Sequence, residues 1–329
     1  MADVKITVLA GGVGGARFLL GARHWLRETG ADPAERLTAV VNTADDLWLA
    51  GLRITPDLDS IMYALAGVND TARGWGRAGD SEVVNGELAA WGVAWPWFTL
   101  GDLDIAASVA RTSWLRDGVP LADVVARLAA RWDLGARLLP ATGDEAETIV
   151  HLVDPADDGR TELHFQEWWV RYRASLTAAS FEVRGADAAR PSAGVLAAIA
   201  EADVVLLAPS NPVVSIGPIL AIPGVRDALR TTAAKVVGVS PIIAGSVVRG
   251  MADACLSAIG VETSADAVAR LHGARRDGGL LDGWLVDTVD AGVVDALTAD
   301  GIPTRAVPLW MTDPATTAQM VTAAIDLAS

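Results

Sequence analysis

Of the 329 residues, 51% are hydrophobic, enough to bury a large core in one or two domains. The 26 Lys and Arg against 41 Asp and Glu give a formal charge of −15, a field that repels nucleic acid and anionic lipid, so neither is expected as a partner. No stretch approaches the roughly 20 apolar residues that cross a bilayer, no export-type leader is read at the N-terminus, and the single cysteine, Cys255, allows no internal disulfide, so a cytoplasmic location is expected.

Residues 4–10 (VKITVLA) and 37–42 (LTAVVN) are short, β-branched apolar runs that read as buried parallel strands. The first runs into AGGVGGAR, residues 10–17, followed by a helical pattern carrying Phe18, Leu19, Ala22 and Leu26 on one face. Gly11, Gly12, Gly14 and Gly15 let backbone N–H groups approach a phosphate, the helix N-terminus adds partial positive charge and Arg17 a full one. A merely structural tight turn is the alternative. A dinucleotide fingerprint is disfavoured, because Arg17 stands where the third glycine belongs and the second strand ends in Asn42-Thr43 rather than an acid.

After that strand, Asp45, Asp46, Asp57 and Asp59 crowd one strand end. A hard cation such as Mg²⁺ takes one or two carboxylates together with substrate phosphate oxygens. Alternatively, Asp57 caps a helix over 58–66 and Asp59 complements its dipole; capping suits Asp57 better than Asp59.

Residues 102–117 and 120–132 read as helices, and 147–154 with 161–173 alternate like an antiparallel hairpin. His164, in the second of these runs, is read as structural, and most of the twelve tryptophans as core or subunit contacts. Strands return at 203–210, 235–240 and 305–309. The expected architecture is α/β: a doubly wound, mostly parallel, Rossmann-like sheet from 1–90 plus 190–329, with an inserted helical and antiparallel β subdomain at 91–189. APSNPVVSIGP, 208–218, follows a strand; Ser210, Asn211 and Ser215 offer polar groups and Pro212 stiffens the turn. It is a second phosphate or base cradle, or a plain turn, and its place at the carboxyl end of the sheet beside the glycine turn favours the cradle. Ser240-Pro241 belongs to the same rim. HExxH, paired CxxC, GxSxG and Walker A sequences do not occur.

The segments VLAGGVGGARFLLG, VVNTADDLWLAGLRITPDLDSIMYALAG, RGWG, TLGDLDIAASVAR, HFQEWWVRYR, LLAPSNPVVSIGPIL, SPIIAG and WMTDP, spread over nearly the whole length, together resemble the 2-phospholactate or phosphoenolpyruvate transferases of coenzyme F420 biosynthesis. The resemblance implies Mg²⁺, a homodimer, and transfer of a three-carbon phosphoester from a guanylylated donor (phosphoenolpyruvate or phospholactate) to the deazaflavin precursor Fo with release of GMP. It puts Asp59 at Fo or the metal, Asp45 as the second acid near the metal, the glycine turn and Ser210–Pro212 at the donor, and Thr99 at the Fo site. Two positions depart from the family's pattern: Leu103 replaces the arginine of a GDRD segment and Ser108 the histidine that follows it. The forms of HFQEWWVRYR and PSNPVVSIGPIL look actinobacterial, which implies the phosphoenolpyruvyl donor. An NAD(P)-dependent oxidoreductase and a non-catalytic nucleotide or sugar-phosphate-binding regulator are the rival expectations.

Overall fold

The computed structural model describes residues 4–93 and 96–328. Seven parallel strands make the central sheet: β1 (Ile6–Ala10), β2 (Leu37–Val41), β3 (Arg137–Pro140), β4 (Val204–Leu207), β5 (Lys235–Val239), β6 (Gly283–Val286) and β7 (Thr304–Ala306). Their spatial order is 3-2-1-4-5-6-7, the doubly wound arrangement expected. The direction of winding reverses between β1 and β4, where ligands of such sheets bind beyond the carboxyl ends.

β1 is buried along its whole length, and its alternating side chains feed two cores. Ile6, Val8 and Ala10 join Phe18, Leu19, Leu26, Ile61 and Val321 on one face, while Leu9 joins Val40, Val205, Leu207 and Trp284 on the other. Completely buried side chains such as Phe18 and Leu26 each contribute about 1.5–3 kcal/mol. The helix Gly12–Glu28 packs on the helices Pro56–Ala66 and Pro314–Ala328. A Cβ at Gly21 would overlap Thr317, so the glycine sets how closely the first and last helices approach. No single helix among the described residues is long and apolar enough to cross a membrane.

Three elements differ from the sequence reading. The run 161–173 is a strand only over Glu162–His164, and Glu167–Arg171 then forms a π-helical turn. Glu167 is the reason: it accepts from Arg160 at 2.6 and 2.8 Å and from Arg171 at 2.7 Å, pulling the chain into a turn, while Trp168 is buried with its indole N–H bonded to the Leu176 carbonyl. The antiparallel partners of Glu147–Leu152 are therefore that short strand and Ala178–Arg184. Within 91–189, β3 pairs with β2 as an edge of the main sheet, so this stretch also supplies a strand of the core. Lastly, β6 lies where no strand was expected.

Candidate functional site

Ala10 pairs with Val41, so the residues that follow β1 and β2 leave the sheet side by side, and the Asn42 N–H donates to the Ala10 carbonyl at 3.1 Å. Across β1 from there, β4 delivers the Ser-Asn-Pro turn. The glycine turn, the acidic segment and this turn thus converge at the point where the sheet reverses.

The glycines are closely fitted to protein atoms. A Cβ at Gly11 would stand 2.6 Å from Asp57 Oδ2 and 2.7 Å from the Cβ of Ser215; at Gly14, 2.8 Å from the Pro209 carbonyl; at Gly15, 2.8 Å from the Cβ of Ala10. Ser210 Oγ accepts the Gly11 N–H at 3.1 Å and donates to the Gly11 carbonyl at 2.8 Å. Asn211 accepts from the Val213 and Val214 N–H groups through Oδ1, Pro212 opens the π-helical turn Pro212–Ile216, and Ser215 is buried against Gly11. Gly12, at φ +60°, carries the chain into the helix.

Asn42, which sequence reading noted only as a missing acid, ties the three segments together. Its Nδ2 donates to Asp57 Oδ2 at 3.0 Å and to the Val214 carbonyl at 3.3 Å, while its Oδ1 accepts from the Ala44 N–H. Asp57 accepts from the backbone of Gly12 as well. It serves the N-terminus of the first helix, which corrects the expectation that it caps its own; Thr55 occupies that N-cap, and the helix begins at Pro56. Burial pushes the Asp57 carboxyl up to about 6, with the bonds from Asn42 and Gly12 opposing.

Asp45 and Asp59 fall in different surroundings. Asp45 is 4% exposed, its Oδ1 has no partner, and burial together with the neighbouring Asp57 carboxylate drives its carboxyl well above the usual range. Asp59 is bonded by Arg111 Nη2; burial raises its carboxyl and Arg111 opposes. Arg111, buried, also donates to the Arg53 carbonyl at 3.0 Å and to Ser108 Oγ at 3.3 Å. Asp46 lies between the two aspartates, with no exposed surface and facing Arg53 at 3.5 Å. Asp104 completes the cluster, pushed to about 6 by burial and by Asp59.

Sequence reading missed Arg53, Arg111 and Asp104. A signal existed in the helix Asp102–Arg116, where Asp104, Ser108 and Arg111 recur at helical spacing on the face that also buries Ile105 and Thr112. Ser108 bonds to the Asp104 carbonyl and to Arg111, so it lies beneath the ion pair; Leu103 is exposed beside Tyr63, Arg77 and Trp132. Thr99 is half-buried between Phe98 and Leu100, which pack against the hairpin Leu47–Ile54, and makes no side-chain hydrogen bond among the described residues.

For a divalent cation, the fitting pair is Asp45 with Asp57: one Asp45 oxygen is an orphan, and the Asp57 carboxylate is close enough to raise the proton affinity of Asp45. Among the described residues no three His, Cys, Asp or Glu side chains are grouped to hold a metal. Magnesium needs only one or two carboxylates when phosphate oxygens and water supply the remainder.

Arg17, exposed, lines a cleft of about 280 Å³ next to the glycine turn, where Gly74, Trp75 and Gly76 of the RGWG segment meet Met311–Pro314 of the WMTDP segment.

A family profile described as 2-phospho-L-lactate transferase CofD matches residues 6–306. The chain is 56% identical over 332 residues to a protein named phosphoenolpyruvate transferase from Mycobacterium sp. (strain JLS), covering 99% of each. It is 55% identical over 328 residues to the protein of the same name from Mycolicibacterium smegmatis, again over 99% of each. A UPF0052-family crystal structure from Bacillus halodurans shares the fold, with a TM-score of 0.59 at 16% identity over 98% of this chain and 99% of that one.

Proposed function

The chain belongs to the 2-phospho-L-lactate transferase CofD family and is a transferase of coenzyme F420 biosynthesis; on that premise we propose that it moves the phosphoenolpyruvyl group from a guanylylated donor to Fo, releasing GMP. The name shared by its mycobacterial relatives supports this donor over phospholactate. The observation that carries the reading is the convergence of the glycine turn, the Asp45–Asp57 pair and the Ser210–Ser215 turn at the reversal point of the sheet.

In the proposed reaction, the terminal ribityl hydroxyl of Fo attacks the phosphorus bearing the three-carbon acid. A new P–O bond forms, the anhydride P–O bond breaks, and GMP departs in line. Positioning and charge neutralisation supply most of the acceleration in such transfers. The first turn of the helix Gly12–Glu28 presents N–H groups and its dipole to the diphosphate, and Arg17 adds a full charge. Asp59, oriented by Arg111, accepts the hydrogen bond of the attacking hydroxyl. Asp45, with Asp57 beside it in place of the expected Asp59, would hold Mg²⁺, which when bound neutralises diphosphate charge. Thr99 belongs to the Fo side of the same proposal. A homodimer in the cytoplasm completes it, supported by the apolar Val83, Val84 and Trp91 exposed along one helix and by the buried thiol of Cys255.

The test is incubation with Fo, Mg²⁺ and each guanylylated donor in turn, followed by mass analysis. A phosphoenolpyruvyl adduct of Fo with one GMP released per adduct is expected. Absence of product from either donor sinks the proposal, and product from phospholactate alone reverses the donor assignment.

A further inference from the structure

The cleft beside the glycine turn is enclosed by the helices Gly12–Glu28 and Pro56–Ala66, the loop 69–76 and the start of the last helix. On a chain of net charge −15, it is lined by two guanidinium groups, Arg17 and Arg249, neither of which has a hydrogen-bond or ion-pair partner among the described residues. Nearby arginines are committed elsewhere. Arg73 pairs with Glu82 at 2.9 Å and Asp70 at 3.7 Å, and Arg77 lies over the rings of Tyr63 and Trp132. The one carboxylate in the lining, Asp313, accepts from the Thr316 N–H at 2.8 Å and from the hydroxyls of Thr312 and Thr316, so it is spent on capping the last helix.

The loop is shaped around one of these cations. Gly74 has φ +79°, which favours glycine, and the Arg249 guanidinium lies over it where a Cβ would stand. Val13, in the first turn of the first helix, is part of the same lining. Arg17 stands one turn further, about 7.5 Å along the axis from Gly12. The cleft therefore opens at the first turn of that helix. Two free planar guanidinium forks are suited to an oxyanion, above all to a carboxylate.

We infer that Arg17 and Arg249 form a subsite for a carboxylate, that of the three-carbon acid carried by the donor. The inference rests on the donor reading above and deepens it: the acid is held in the cleft, leaving the face of the transferred phosphorus opposite the departing GMP to the acceptor hydroxyl.

The test is binding, without Fo or turnover. Titration calorimetry compares guanylylated phosphoenolpyruvate with the β-methyl ester of GDP, which keeps the guanosine and the diphosphate but lacks the carboxylate. For wild type, the carboxylate is expected to tighten binding about tenfold or more, the usual worth of a charge-assisted pair. Arg249→Gln abolishes that advantage while the methyl ester binds within about twofold of wild type, and Arg17→Gln, which also removes charge facing the diphosphate, weakens the donor by a further factor of about ten over the methyl ester. Arg249→Lys restores only part, since an ammonium cannot make the forked contact. Equal weakening of both ligands would assign the arginines to the diphosphate or to the guanine edge and overturn the inference; so would an unchanged donor affinity. If wild type binds with carboxylate preference yet transfers nothing to Fo, the reaction proposed above fails and the subsite stands.

Discussion

Ser210 Oγ both accepts from the Gly11 amide and donates to the Gly11 carbonyl, closing a two-bond bracket between residues 199 positions apart. It pins the exit of β1 to the exit of β4. Ser210→Ala removes both bonds in a buried place and is expected to cost about 1–3 kcal/mol of stability. It should also raise KM for the donor more than it lowers kcat. Urea denaturation and steady-state kinetics check the two effects, and an unchanged donor KM would separate the bracket from donor binding.

Arg111 is the counter-charge of a crowded acidic interior. Arg111→Met leaves Asp59, Asp104 and Asp46 facing one another without it, and the expected loss is about 3–5 kcal/mol. The double variant Arg111→Met/Asp59→Asn should recover part of that loss. A double-mutant cycle by chemical denaturation measures the coupling, and additive losses would show that the pair is not interacting.

Asp45→Asn should separate stability from activity. Burial of a carboxylate with one orphaned oxygen opposes folding, so the neutral isostere is expected to raise Tm or leave it unchanged. Transfer should nevertheless fall about 100-fold, with a higher Mg²⁺ requirement. A fall in Tm alongside activity would mark Asp45 as structural. Asp59→Asn is expected to abolish transfer with the fold retained, as judged by circular dichroism and mass analysis of the product.

His272 is buried against Trp284, and burial, then Arg226, lowers its imidazole to about 4. The folded state therefore favours the neutral ring. The stability this contributes is complete above the unfolded pKa of about 6.5 and drains away as pH falls towards 4. Between pH 7 and pH 4 the loss is about 3 kcal/mol. His272→Phe removes it, so the stability difference between wild type and variant should move by that amount towards the variant over this range. A difference that stays constant with pH would refute the assignment.

Much of the fold was legible because its signals are local. The β-branched runs at 6–10, 37–41, 204–207 and 235–239 form strands as expected, and the glycine turn joins strand to helix. What escaped was decided by distant partners. Arg137–Pro140 and Gly283–Val286 are four residues each, too short for a periodic pattern, and become strands because β2 and β5 offer edges. Alternation in 161–173 favoured a strand, but the Glu167 clamp on Arg160 and Arg171 prevailed. In the candidate site the glycines, Asp45 and Ser210–Ser215 could be named from spacing alone. The different surroundings of Asp57 and Asp59 could not. They depend on Asn42 and Gly12 reaching one carboxylate and Arg111 the other.

The pairing of β1 with β4 has a consequence for how the molecule comes into being. Ile6 meets Val204 in the middle of the sheet, so β1 leaves the ribosome well before a neighbour nearly 200 residues further along the chain. At about 5–20 residues per second, synthesis alone imposes a delay of roughly 10–40 s. During that interval one edge of β1 is bare and the Ser210 bracket does not exist. The junction of the glycine and Ser-Asn-Pro turns thus assembles only once residue 210 is made, and a chain stalled before it presents an apolar strand edge to its surroundings.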